Sequence, residues 1–184
     1  QGLKTDVRAL FNSPTLMQLA TTVVQEGAVV VPENRITADC ERITPQLLPV
    51  VALEQEEIDR IVERVPGGTR NVQDIYPLAP LQEGILFHHL MSTEGDAYLL
   101  PVLMAFDTRQ RMDRFLTALQ SVIRRHDMLR TAVHWEGVSQ PVQVVWREAL
   151  LAVEEVQLSS EDAAQELRER FDLRNYWLDV REAP

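Results

Sequence analysis

The chain has 184 residues, 45% of them hydrophobic and 25% charged, which is enough to bury a core and too apolar for disorder by composition. Its 18 basic and 28 acidic residues leave a formal net charge of −10, which argues against a nucleic-acid backbone as partner. The single cysteine, Cys40, excludes an internal disulfide; no Cys/His spacing suggests zinc, and no run reaches the roughly 18 apolar residues of a membrane span.

With no signal peptide either, a reducing cytoplasm is the expected compartment. The start at Gln1 falls within a helical unit, and the stop at Arg181-Glu-Ala-Pro184 carries no turn signal. We therefore expect a piece of a longer polypeptide.

Residues 1–26 read as the last part of a small helical unit. Val7, Leu10 and Phe11 sit at helical spacing. Asn12-Ser13-Pro14-Thr15 then breaks and restarts the helix, with Ser13 as N-cap and Pro14 at the first helical position. Leu16, Leu19, Ala20 and Val23 share one face of the helix that follows. Two such helices are too little to fold alone. Residues 27–52 have the look of a linker, with Pro32, Pro45 and Pro49 and no sustained period.

From Leu53 a short helix is expected. Glu54, Glu56 and Glu57 enrich its first turn, and Ile58, Ile61, Val62 and Val65 continue its apolar face. Pro66-Gly67-Gly68 ends it. The stretch Asp74 to Asp96 combines a strand-like entry, two prolines, an apolar helix over 81–91 that ends in His88-His89, and a Gly95-Asp96 exit. Tyr98–Asp107 reads as a strand buried on both faces, although Pro101 weakens its start.

Met112, Phe115, Leu116, Leu119, Val122 and Ile123 predict a helix over 113–125. Thr131–Trp135 and Pro141–Trp146 read as a hairpin with a loop of about five residues. Ala152–Leu158 is a further strand, and Ser159 or Ser160 caps a helix through Phe171. Helix, strand, helix, three strands and a helix make an α/β unit with a mixed sheet. No Gly-rich phosphate loop follows a strand.

The chain holds four histidines, residues whose neutral ring suits a base near neutral pH: His88, His89, His126 and His134. Successive helical residues point about 100° apart, so His88 and His89 cannot both face one site. His89 shares a face with Gln82; His88 lies under Leu81 and Gly84. The plain structural alternative is one packed ring and one solvated ring. Arg124 and Arg125 complement the C-terminal dipole of their helix. His126 and Arg130, four apart, line one side if the last turn stays helical, and a buried arginine there needs a carboxylate. No Gly-x-Ser-x-Gly elbow and no His-x-x-x-His or Glu-x-x-His metal pair occurs.

Three segments resemble a nonribosomal peptide synthetase across a junction between carrier and condensation domains. Val7–Ala20 looks like the final helices of a peptidyl carrier protein. Tyr76-Pro-Leu-Ala-Pro-Leu-Gln-Glu-Gly-Ile-Leu-Phe-His88 is similar to the opening motif of condensation domains that take a D-configured donor. Arg125-His126-Asp127-Met128-Leu129-Arg130-Thr131 matches the family's Arg-His-x-x-Leu-Arg-Thr. The run from His88 to Asp96 fits His-His-(Ile/Leu)-x-x-x-x-Gly-Asp, the extra motif of domains that both epimerise and condense.

The resemblance implies the last helices of an all-α carrier domain over 1–26 and the first part of a chloramphenicol-acetyltransferase-like lobe over 53–184. The implied function is peptide-bond formation between carrier-bound thioesters, preceded by inversion of the donor α-carbon. His88 and His89 are then the catalytic candidates. Gln82, Arg125, His126 and Arg130 serve lobe structure or line the channel.

The implied partners are upstream and downstream carrier domains, neighbouring synthetase domains and aminoacyl or peptidyl thioesters. The implied cofactor is 4′-phosphopantetheine on the carrier, its serine expected before residue 1. The family's His-His-x-x-x-Asp-Gly motif does not occur in these 184 residues, so this piece alone is expected not to form peptide bonds. The rival readings are an ordinary condensation domain that accepts a D-donor and a non-catalytic platform that docks carriers.

Overall fold

The computed structural model describes residues 3–4, 15–22, 24–25, 32–92, 95–96, 98–159, 162–172 and 174–184. The chain divides into two compact units, Gln1–Glu33 and Asn34–Pro184. In the first, α1 (Leu16–Thr22) accompanies a two-residue antiparallel ladder of β1 (Leu3–Lys4) and β2 (Val24–Gln25). Thr15 Oγ1 accepts from the Gln18 N–H at 3.3 Å, an N-cap bond from the residue after Pro14. The expected helix through Val7, Leu10 and Phe11, and the cap at Ser13 and Pro14, lie outside the described residues.

The second unit is mixed α/β, built on a three-stranded antiparallel sheet ordered β3-β5-β4. These strands are Val72–Pro77 (β3), Thr131–His134 (β4) and Val142–Trp146 (β5). Every residue of the central strand β5 is buried, as its Val-rich run requires of a strand covered on both faces. Val142, Val144 and Trp146 point into a core shared with Val72, Ile75, Ala132 and Ile123. Gln143 and Val145 alternate to the opposite face.

The sheet is joined on its core face by α2 (Gln55–Arg64), which contributes Ile58 and Ile61, both buried. Glu57 caps this helix by accepting from the Glu54 N–H at 2.7 Å, and it also accepts from the Ser139 N–H in the hairpin loop. The expected stop at Pro66-Gly67-Gly68 forms, with Gly67 left-handed at φ 85°.

Residues 34–52 do not behave as a linker. Ile36, Ile43, Leu48 and Val51 are core residues, and Asn34 Nδ2 donates to the Gln73 carbonyl at 2.8 Å. Ile36 and Ile43 stand alone, and Leu48 and Val51 belong to short pairs beside Pro49, so no period announces them.

The long helix α4 (Arg109–Arg125), which follows α3 (Pro80–Met91), begins four residues before its expected start, capped by Thr108, whose side chain accepts from the Arg111 N–H. The hairpin forms with a longer loop, since His134 pairs with Val142. The final helix α5 (Ala163–Arg170) is capped by Asp162, which accepts from the Gln165 N–H at 2.9 Å, and not by Ser159. Ser160 and Glu161 lie outside the described residues.

Two expected strands are absent. Among the described residues neither 98–107 nor 152–158 joins a ladder, and the first is open rather than buried on both faces, with Leu100 83% and Val102 76% exposed. Strand propensity forms a strand only where a neighbouring backbone supplies hydrogen bonds, and Pro101 supplies no N–H. The sheet instead gains β3, whose entry alone was visible in sequence. Among the described residues no helix is long and apolar enough to cross a membrane.

Candidate functional site

The helix α3 carries the histidine pair. Pro80 occupies its first turn, and the Gln82 side chain turns back to accept from the Ala79 N–H at 2.8 Å. The amides of Gln82 and Gln143 then exchange bonds of 2.9 and 3.0 Å. This pair pins α3 to the outer face of β5 and fixes the direction in which the last turn projects. Gln82 is thus a positioning side chain that also lines a cleft.

As the 100° rule requires, the two imidazoles separate. His88 is exposed, its Nδ1 2.8 Å from the Tyr98 hydroxyl. His89 turns inward, its side chain 11% exposed, with Nδ1 2.7 Å from Asp96 Oδ2. Burial raises the Asp96 carboxyl toward its neutral form, but the Tyr98 N–H and His89 outweigh it and hold Asp96 below the usual carboxylate range. An ionised Asp96 can only accept, so Nδ1 of His89 carries the hydrogen, and in the neutral ring Nε2 is the nitrogen with the lone pair. The Trp177 ring meets the His89 imidazole edge-on at 5.5 Å.

This histidine–aspartate pair borders a cleft of about 270 Å³. Leu78, Ile85, Leu86 and Leu99 make its wall largely apolar, while Gln82, His89, Asp96 and Tyr98 place polar groups along it. Val133 of β4 and Leu178 and Val180 close another side. The 177–181 segment is held there by the Val133 N–H, which donates to the Val180 carbonyl at 2.7 Å. An oriented imidazole beside a small apolar cleft is suited to taking a proton from a weakly acidic carbon. Among the described residues no group of three or more His, Cys, Asp or Glu is placed to hold a metal.

The Arg125–Thr131 segment has a different role. The helix α4 ends at Arg125, His126 is extended at φ −114° and ψ 114°, and a 3₁₀ turn spans Asp127–Arg130. His126 and Arg130 therefore do not share a face: His126 and Arg125 are exposed, and Arg130 is buried.

Arg130 donates to the carbonyls of Ile123, Trp146 and Arg147 and to Gln73 Oε1, and pairs with Asp127, the carboxylate its burial demands. It clamps the end of α4 to β3 and β5 and does not line the cleft. The irregularity in β3 between Val72 and Asp74 falls at Gln73, whose side chain reaches Arg130 and Asp127.

Gln82, His88 and His89 were identifiable in this region from sequence, but Asp96, Tyr98, Gln143 and Trp177 were not identifiable as their partners. The Asp96 signal was present, since it closes the motif that begins at His88. The others come together only through the fold.

These features define a condensation-type lobe with a histidine at its cleft. The Condensation domain family matches residues 72–179, and the chain belongs to that family. Over its whole length it is 53% identical to Malpinin synthetase and 48% identical to Malpibaldin synthetase, both of Mortierella alpina. It is 32% identical, over 78% of its length, to a Linear gramicidin synthase of Brevibacillus parabrevis. The chain spans only 2%, 3% and 2% of those three proteins.

Proposed function

We propose that this region belongs to a nonribosomal peptide synthetase and serves a condensation domain that inverts its donor before forming the peptide bond. The observation that carries the epimerising part is the His89–Asp96 pair at the wall of an apolar cleft. A thioester acidifies the adjacent Cα–H. His89 Nε2 takes that proton while Asp96 holds the ring by its Nδ1–H and stabilises the imidazolium. Apolar walls keep water from the carbanion, and about 270 Å³ suits an aminoacyl group better than a long peptide.

Donor and acceptor would arrive as thioesters on the 4′-phosphopantetheine arms of upstream and downstream carrier domains. No serine here stands three residues after an aspartate or glycine, so the arm is a substrate group presented to this region. Residues 1–26 are proposed as the end of such a carrier, and the work is that of a cytoplasmic enzyme. The finer assignment between the two histidines follows from their surroundings: His89 is oriented at the cleft and His88 is exposed.

The test uses the intact carrier–condensation protein, loaded with an L-aminoacyl thioester and incubated in deuterated buffer without acceptor. Deuterium appears at the donor α-carbon, and His89→Ala lowers its rate at least ~100-fold. No exchange in the parent protein, with a supplied D-donor still condensed, would leave the ordinary D-accepting domain. Failure of both reactions would leave the carrier-docking platform.

A further inference from the structure

We infer that Tyr98 is the second proton-transfer group of the site, serving the α-carbon face opposite His89, with His88 as its link to solvent. This rests on the epimerising reading. Inversion requires that a proton leave one face of the carbon and another arrive on the opposite face, so a single fixed base returns the starting configuration. The chain places two acid–base pairs around one cleft.

His89 and Tyr98 both line it. His89 is backed by Asp96 at 2.7 Å, and Tyr98 by His88 at 2.8 Å. Asp96 joins the pairs, because its other oxygen accepts from the Tyr98 N–H at 2.9 Å. The two imidazoles leave α3 about 100° apart, so the groups they support approach the cleft from different directions. His88 is exposed, where it can exchange protons with water.

From an L-donor, the Cα–H bond breaks and its proton passes to His89 Nε2, while the electron pair delocalises into the thioester as an enolate. The Tyr98 O–H then breaks, a new Cα–H forms on the other face, and a phenolate remains. His88 takes a proton from water and passes one to the phenolate, and His89 returns its proton to water. No oxidant or further co-reactant is needed. From a D-donor the roles of His89 and Tyr98 exchange.

The test again uses the intact carrier–condensation protein without acceptor, loaded with L- or D-leucyl, valyl and phenylalanyl thioesters in deuterated buffer. Tyr98→Phe should keep exchange from the L-donor while lowering exchange from the D-donor and net inversion at least ~100-fold. His89→Gln should show the reciprocal pattern. His88→Gln should slow inversion less than Tyr98→Phe. Inversion by Tyr98→Phe at the parent rate overturns the assignment, as does equal loss of exchange from both donors. Absence of all exchange in the parent protein instead overturns the epimerising reading itself.

Discussion

The two faces of the β3-β5-β4 sheet are finished differently. On the core face, α2, residues 34–52 and Ile123 of α4 cover it completely: Ile58, Val72, Ile75 and Val144 are all fully buried. On the other face, α3 is pinned by one amide pair, and beyond it Leu81, Phe87, Leu90, Met91, Leu100 and Val102 are exposed. Among the described residues the closed face holds no imidazole paired with a carboxylate or hydroxyl, while the open face holds two. Packing to interior density fixes side chains but leaves no room for a substrate, so the cleft sits where the packing stops.

The largest effect should come from severing the clamp that unites the closed face. Arg130→Leu leaves the carbonyls of Ile123, Trp146 and Arg147 and the Asp127 carboxylate without their shared cation. Asp127 is 54% exposed and rehydrates, so the loss comes chiefly from the buried carbonyls left unpaired, at about 1–3 kcal/mol for each. Chemical denaturation should show that loss, whereas His89→Ala on the open face should move the midpoint little. Equal stability of Arg130→Leu and the parent chain would break the contrast between the faces.

The closed face was unevenly legible in the sequence. The helices α2, α3 and α4 and the hairpin were readable, because helical periodicity, prolines and first-turn acids are local signals. Ile36, Ile43, Leu48 and Val51 were not, since they are single residues or members of short apolar pairs without a period, and their burial depends on distant partners. The apolar runs 98–107 and 152–158 misled for the converse reason: their composition suits a strand, but no strand lies beside them among the described residues. At the site, the histidine pair and its 100° divergence followed from spacing alone. The pairing of His89 with Asp96 and of His88 with Tyr98 required the loop to fold back, which spacing does not specify.

His134 offers a smaller and pH-dependent probe of the closed face. It is 1% exposed, and neither ring nitrogen has a hydrogen-bond partner among the described residues. Burial first, then the charges of Arg64 and Arg181, push its pKa down to about 4, against a weaker opposing pull from Asp179 and Glu136. The unfolded chain takes up a proton near pH 6.5 and the folded chain only near 4. Stability should therefore fall as pH drops from about 6.5 to 4 and level off below that, by at most about 3 kcal/mol for this group. His134→Leu should flatten that window; an unchanged pH slope would show that the ring is not held neutral by the fold.

Glu57 should give the smallest effect, in a different window. Its carboxylate is held below the usual range chiefly by the Glu54 N–H, with the Ser139 N–H assisting against burial. Because the folded pKa is depressed, this contribution is present at neutral pH and is lost only as pH falls below the ordinary glutamate range. Glu57→Gln keeps the shape but turns an NH₂ toward one of two N–H donors. Hydrogen bonds to a charged group are worth about 1.5–3 kcal/mol, so a loss near the lower end is expected at neutral pH. The loss should shrink in acid, where the parent carboxylate is itself protonated. A Glu57→Gln penalty that instead vanished between pH 6.5 and 4 would mean that Glu57, and not His134, governs the first acid step.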